Sequence, residues 1–236
     1  MCTSIVFNGN ETLIGFNFDN PGLKYHVVKK NKAFYISLLI NDHLWEPCFG
    51  CNSRGDFLNL PAMNPGVKES AYPGEGAQYH FLDRENLKVL LGQMTFADLQ
   101  KMVSQSPFYN EAGFSLQAQD SDKEGNVLQI FPGLGYKIFA KPAYSVLTNF
   151  QLMKKENIHH PWAGVDRYEK ANALLASAKA DFSSRDMMGL LQTLAQVEGG
   201  APTAVSIVFS PSKNQVDWVE NQHWDTVLTH TFLSEH

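Results

Sequence analysis

Strand-like and helical segments come in blocks along this chain rather than in alternation, and that ordering limits the fold more than any other feature of the sequence. Residues 2–8 and 11–18 are short runs rich in Ile, Val, Phe and Leu around Asn8-Gly9-Asn10, a strong hairpin signal. Tyr25–Val28, Ala33–Ile40 and Leu44–Cys51 extend the β pattern, and a Pro- and Gly-rich stretch, 61–76, interrupts it. Arg84–Gly92, with Leu87, Val89, Leu90 and Leu91, then reads as a helix. Thr95 is placed to cap a second one, which carries Leu99, Met102 and Val103 on one face. Strands are expected again at Phe114–Gln119, Val127–Phe131, Tyr136–Ala140 and Tyr144–Thr148. A long helix follows over Asp166–Ala180. Ser183-Ser184-Arg185-Asp186 opens another as a capping box, with Met187, Leu190, Leu191 and Leu194 at helical spacing. Ala204–Phe209, Val216–Glu220 and a run from Thr226 close the chain as strands. Strands in blocks with paired helices between them predict an α+β fold, with antiparallel sheets under outer helix layers, rather than a doubly wound parallel sheet.

With 236 residues, 44% of them apolar, and no repeat or convincing linker, one domain spanning 1–236 is expected. No stretch of 18 apolar residues suggests a membrane span, and Met1-Cys2-Thr3-Ser4 lacks a basic leader, so a cytoplasmic location is expected. The 19 Lys and Arg are scattered in a chain of net charge −5, which does not form the footprint of a nucleic-acid binder. The three cysteines, Cys2, Cys48 and Cys51, argue for reduced thiols. Cys48-Phe49-Gly50-Cys51 has no second cysteine pair and no histidine at zinc-finger spacing, so it reads as buried thiols before a redox or metal site. His159-His160 reads as loop, and no G-x-S-x-G element supports serine catalysis.

The second residue carries the most chemistry. Loss of Met1 ahead of a small residue leaves a chain that begins with cysteine, so one residue bears both a thiol and a free α-amine. That amine titrates near pH ~8, well below lysine, and can act as general base for its own side chain. The thiolate is also an intrinsically strong nucleophile near neutrality. If Asn8-Gly9-Asn10 forms a tight hairpin, Cys2 lies opposite the Gly15–Asn17 region, with Asp19 just past the partner strand on the face of Asn17. A carboxylate there could orient the amine. Asp19-Asn20-Pro21-Gly22 has equally the composition of a plain turn.

Met-Cys-Thr at the start, followed by Gly15-Phe16-Asn17-Phe18-Asp19, resembles the opening of the choloylglycine hydrolase family, which includes bile salt hydrolases, penicillin V acylases and related linear-amide C–N hydrolases. The likeness runs on in order. Asn52-Ser53-Arg54-Gly55 is similar to the family's Asn-Glu-x-Gly turn, and Tyr144-Ser145-Val146-Leu147-Thr148-Asn149 to its Val-Leu-Thr-Asn element. Phe114-Ser115-Leu116 and Asp122–Asn126 resemble its strand–turn–strand, Asp166-Arg167-Tyr168 its Ser-Arg-Phe helix start, and 204–209 with 218–220 its closing hairpin.

The resemblance implies a four-layer αββα sandwich of two antiparallel sheets, the N-terminal-nucleophile hydrolase fold, acting on a small-molecule amide without metal or organic cofactor. It implies Cys2 as nucleophile and base, Asp19 as the group positioning its amine, Asn149 as oxyanion donor and Arg167 as support for the charged site. A second oxyanion donor falls on Asn59 or Asn64, of which Asn64 is preferred. One departure stands out: the family's arginine two residues before its aspartate is Phe16 here, which removes a cation that would favour the thiolate. A binding protein that has lost turnover therefore stays open beside hydrolysis, as does acyl transfer, in which an amine replaces water in the same chemistry. The short span from Asn149 to Arg167 lacks the segment that bile salt hydrolases use to form tetramers, so that assembly is not expected, while other self-association is left open. Phe16, Phe18, Tyr25 and Trp162 are candidates for an apolar acyl pocket and equally for plain core.

Overall fold

The computed structural model describes residues 2–40, 42–74, 78–153, 159–160 and 163–233. In chain order the strands and helices are β1 (Cys2–Asn8), β2 (Thr12–Asp19), β3 (Tyr25–Lys29), β4 (Ala33–Ile40), β5 (Leu44–Asn52), β6 (Phe57–Leu58), β7 (His80–Phe81), α1 (Leu82–Leu90), α2 (Phe96–Gln105), β8 (Phe108–Tyr109) and β9 (Ala118–Ser121). They continue with β10 (Val127–Phe131), β11 (Gly135–Phe139), β12 (Tyr144–Leu147), α3 (Val165–Ala176), α4 (Ser184–Leu194), β13 (Thr203–Ser210), β14 (Gln215–Glu220) and β15 (Leu228–Thr231).

Two antiparallel sheets carry the structure, one of six strands in the order β12-β1-β2-β13-β14-β15 and one of seven in the order β11-β10-β9-β6-β5-β4-β3. Alternation along each strand sends one set of side chains inward and one outward. Phe16 and Ile207 from the first sheet meet Phe34, Ile36 and Phe49 from the second in the inter-sheet core. On the outer face of the first sheet Ile5, Leu13 and Val208 pack under Ala171 and Leu175 of α3 and Met187 and Leu191 of α4. On the outer face of the second, Tyr35, Ala118 and Leu128 pack under Val89 of α1 and Leu99 of α2. The result is the expected four-layer αββα sandwich. Gly15 shows how close the layers come: a Cβ there would stand 2.7 Å from Met187 Sδ. No helix among the described residues is long and apolar enough to cross a membrane.

The expected capping box of Ser183 with Asp186 forms, and the expected Thr95 cap goes further and makes a full box with Asp98. Several boundaries differ from the sequence reading. The first hairpin has a three-residue loop, 9–11, because Asn8 pairs with Thr12, and Cys2 therefore faces Phe18 rather than the Gly15–Asn17 region. Asn8 fixes that loop through its own side chain, accepting from Thr12 Oγ1 and donating to the carbonyls of Gly125 and Pro142. The strand expected over Phe114–Gln119 begins only at Ala118, since residues 115 and 117 bond back to the 61–63 segment instead of the sheet. Helix α3 stops at Ala176 rather than Ala180, and the Ala180 carbonyl accepts from Asn10 in the first hairpin.

Candidate active site

The pairing order of the first sheet gathers four strand ends at one place. Cys2 begins β1, Asp19 ends β2 opposite the start of β13 at Thr203, and Asn149 lies two residues beyond β12. Asn149 N–H donates to the Ala163 carbonyl, and Thr148 Oγ1 donates to that of Gly164, which ties the end of β12 to the start of α3. Arg167, in the first turn of α3, is thereby aimed into the cluster.

Four of the five predicted site residues form one buried polar knot. The Cys2 nitrogen donates to Asn149 Oδ1 at 2.7 Å, and Arg167 Nη2 donates to the same oxygen at 3.0 Å. Arg167 Nη1 reaches the Cys2 carbonyl at 3.0 Å, Thr3 Oγ1 at 2.7 Å and Asp19 Oδ2 at 3.0 Å. Asp19 and Asn149 are 1% and 0% exposed and Arg167 6%, so the Arg167–Asp19 ion pair is shielded from water. Gly164 makes room for it: it sits at φ +72, and a Cβ there would strike the Arg167 guanidinium.

The fifth residue, Asn64, is held beside Asn149 by its backbone N–H, which donates to the Asn149 carbonyl at 2.7 Å. Its competitor, Asn59, is fully buried and spends its side-chain amide on Ser4 Oγ at 3.0 Å and on the Gln119 carbonyl. The Asn149 side-chain NH2 donates to the Ala62 carbonyl at 2.6 Å, which leaves one of its two protons uncommitted to that bond. Three further residues of the knot, Thr3, Gln196 and Thr203, were not singled out from the sequence. Gln196 Nε2 and Thr203 Oγ1 donate to Asp19 Oδ2 and Oδ1 at 2.6 and 2.5 Å. Only the register of β2 against β13, which puts Thr203 opposite Asp19, could have pointed to the latter.

The electrostatics follow from burial. Burial pushes the Asp19 carboxyl above the usual range, against the opposing pull of Arg167 and the Thr203 and Gln196 hydrogen bonds. Burial likewise raises the Cys2 thiol; the positive amino terminus opposes this, Asp19's charge adds to it, and a bond from the Asp19 backbone and Arg167 weakly oppose it. Phe16 supplies no cation. It is fully buried between the sheets, with its ring 5.0 Å from Phe49 and 6.1 Å from Phe57.

A cleft of about 550 Å³ has Leu23, Leu38, Phe49, Leu60 and Phe114 on its walls together with the charged Glu46, Asp83, Arg84 and Glu111, and none of the knot residues lines it. Leu38 and Phe49 belong also to the apolar cluster that holds Cys2, and the Phe18 ring, opposite Cys2, lies 4.8 Å from Phe49. Of the aromatics considered for a pocket, Phe16 and Phe18 are core and Tyr25 borders a different cavity, while Trp162, like Met1, lies outside the described residues. Cys48 and Cys51 are free thiols; burial pushes Cys48 up to about 12 and raises Cys51 well above the ordinary thiol range. Among the described residues no three His, Cys, Asp or Glu side chains come close enough together to hold a metal ion.

Two layers of helices enclosing two antiparallel sheets are the architecture of the N-terminal-nucleophile hydrolase fold. Solved structures with the same architecture include a C2A variant of conjugated bile acid hydrolase from Clostridium perfringens, at a TM-score of 0.68 and 14% identity over 98% of this chain and 92% of that one. Penicillin V acylase from Agrobacterium tumefaciens matches at 0.58 and 13% over 93% and 83%. The Caenorhabditis elegans ortholog of N-acylethanolamine-hydrolyzing acid amidase matches at 0.53 and 17% over 89% and 93%. No family model matches the sequence, and neither does any curated protein. The family resemblance read from the motifs thus holds at the level of the fold.

Proposed function

We propose that this chain hydrolyses a linear, non-peptide C–N amide, with Cys2 as nucleophile once removal of Met1 has freed its amino group. The observation that carries the reading is the bond from the Cys2 nitrogen to Asn149 Oδ1, made inside a knot that also contains Asp19 and Arg167. A backbone nitrogen at the head of a strand does not ordinarily need a side-chain acceptor, an arginine and a carboxylate around it; an α-amine that gains and loses a proton does.

In this reading the amine takes the thiol proton as sulfur attacks the amide carbonyl carbon. The ammonium then gives that proton to the departing nitrogen, the C–N bond breaks, and an acyl-cysteine remains. Water attacks the thioester with the amine again as base, releasing the acid and restoring the thiol. The remaining Asn149 side-chain N–H and the Asn64 side chain are assigned to the oxyanion, where one such donor is worth on the order of 3 kcal/mol. Asn64 is preferred to Asn59 because the Asn59 amide is already engaged. The acyl group is assigned to the cleft lined by Leu38 and Phe49. The names of the three structural relatives, each an amide-cleaving enzyme, support this chemistry.

Phe16 favours a second reading, in which the chain binds amides without turning them over, because a buried ring at that position adds no cation to the one that Arg167 supplies. Product analysis on a panel of bile salt, phenoxyacetyl, fatty acyl and aminoacyl amides separates the two. Hydrolysis predicts free acid in amounts exceeding the enzyme; binding without release of acid supports the second reading. Hydroxamate formed in place of acid when hydroxylamine competes would report the shared acyl intermediate, and preference for an amine acceptor over water would assign acyl transfer.

A further inference from the structure

Asp19 is held by more than its arginine. Thr203 is 2% exposed; its oxygen accepts from the Gln196 backbone N–H at 2.8 Å, and the acceptor its single hydroxyl proton meets is a carboxylate oxygen of Asp19, Oδ1. Gln196 is fixed in turn: its carbonyl accepts from Thr203 N–H and from Gln222 Nε2, both at 2.9 Å, which leaves its side chain to reach Asp19 Oδ2. Among the described residues, the two carboxylate oxygens accept from α3 (Arg167), from the α4–β13 connection (Gln196) and from β13 (Thr203).

We propose that Gln196 and Thr203 are positioning residues that hold Asp19 as an anion, and so set the pH above which the Cys2 amine has its charged partner. The proposal rests on the functional reading above. A carboxyl this deeply buried would otherwise keep its proton to higher pH, and each donor that fits only the anion works against that. The charged and titratable groups around it are Arg167, the Cys2 thiol and the amino terminus. Asp166 and Lys170 of α3 line a small cavity together with Arg167 and Gln196. Cavities of about 320 and 500 Å³, bordered by Gln196 and Thr203 respectively, flank the clamp, so a shortened side chain would admit water as a substitute donor. Variants that keep volume are therefore the informative ones.

The test is the titration of the Asp19 carboxyl carbon by NMR in protein labelled with 13C-aspartate, the signal being assigned by its loss in Asp19→Asn. Gln196→Leu and Thr203→Val are each expected to raise the midpoint by about one pH unit, a tenfold change in acid constant. Thr203→Ser, which keeps the hydroxyl, should titrate as wild type. Amide turnover should fall about tenfold in both apolar variants at pH values well below the wild-type midpoint, with KM unchanged, and recover at higher pH. Midpoints within 0.3 unit of wild type in both variants, or a Thr203→Ser shift equal to that of Thr203→Val, would overturn the clamp. If the shifts occur but wild type turns over no amide, the clamp stands and the amidase reading fails.

Discussion

The Cys2 nitrogen and Arg167 Nη2 share one acceptor, Oδ1 of Asn149, at 2.7 and 3.0 Å. Two donors on one amide oxygen fix the orientation of the Asn149 side chain, and with it the direction of its NH2 group. The same arginine bonds Asp19, so the first strand, the end of β2 and the end of β12 are locked through one guanidinium.

Removing that guanidinium should cost more than a surface ion pair would. Arg167→Leu leaves the Asp19 carboxylate buried with its principal counter-charge gone, which costs roughly 3–5 kcal/mol. Urea unfolding at pH 7 measures it. Arg167→Lys should recover part of the stability but not the activity, since one ammonium cannot span Asp19 and Asn149 as the planar fork does. A loss below 1 kcal/mol for Arg167→Leu would contradict the inferred burial.

Gly164→Ala tests the entry to α3. The residue sits at φ +72, where an L side chain costs roughly 1–2 kcal/mol, and its Cβ would collide with the Arg167 guanidinium. A drop in Tm of about 2–8 °C is expected, with a larger loss of amide turnover than the stability change explains. Unchanged activity would mean that Arg167 can shift without consequence.

Placing at Phe16 the arginine that the resemblance to choloylglycine hydrolases leads one to expect there should not create a better enzyme. The ring is fully buried among Phe49 and Phe57, and an arginine there places a charge in the inter-sheet core at a cost of several kcal/mol. Phe16→Arg is expected to express as insoluble or unfolded protein by circular dichroism. A folded variant with faster thiol alkylation would show that this part of the core opens to the site.

Asp120 gives a pH-dependent stability term unconnected with the chemistry. It accepts from the Asn59 backbone and from Asn86 Nδ2, both at 3.1 Å, while its Oδ2 and Asn86 Oδ1 are without partners among the described residues. Burial pushes its carboxyl well above 3.8, so the folded state keeps this proton to higher pH than the unfolded chain. Its stabilising contribution is therefore full below about pH 3.8 and is lost as pH rises toward the raised value. Asp120→Asn has no charge to bury and can offer N–H to Asn86. Its Tm should exceed that of wild type at pH 8, with the gap narrowing toward pH 4. A variant less stable at pH 8 would contradict this.

How far the sequence revealed the fold depended on the range of the interactions involved. Alternation and capping are local, so the main strands and the Thr95 and Ser183 helix starts could be read directly. The members of the buried polar knot, the candidate site, were legible where a motif carried them, at Cys2, Asp19, Asn149 and Arg167. The hairpin register was misplaced because Asn8 is fixed by Gly125 and Pro142, far along the chain. The Phe114–Gln119 strand was set too early because its first residues bond to the 61–63 segment. Gln196 and Thr203 escaped notice because neither has meaning until β13 lies beside β2.

The central claim is that a thiol and a free amine meet at Cys2 and take up an acyl group. Intact-mass spectrometry of protein from its own cells, before and after brief exposure to the amide panel, tests it directly. The account predicts a chain lacking Met1, with one acyl mass gained on the wild type and none on Cys2→Ala. A chain that keeps its methionine, or an adduct that survives Cys2→Ala, would contradict it.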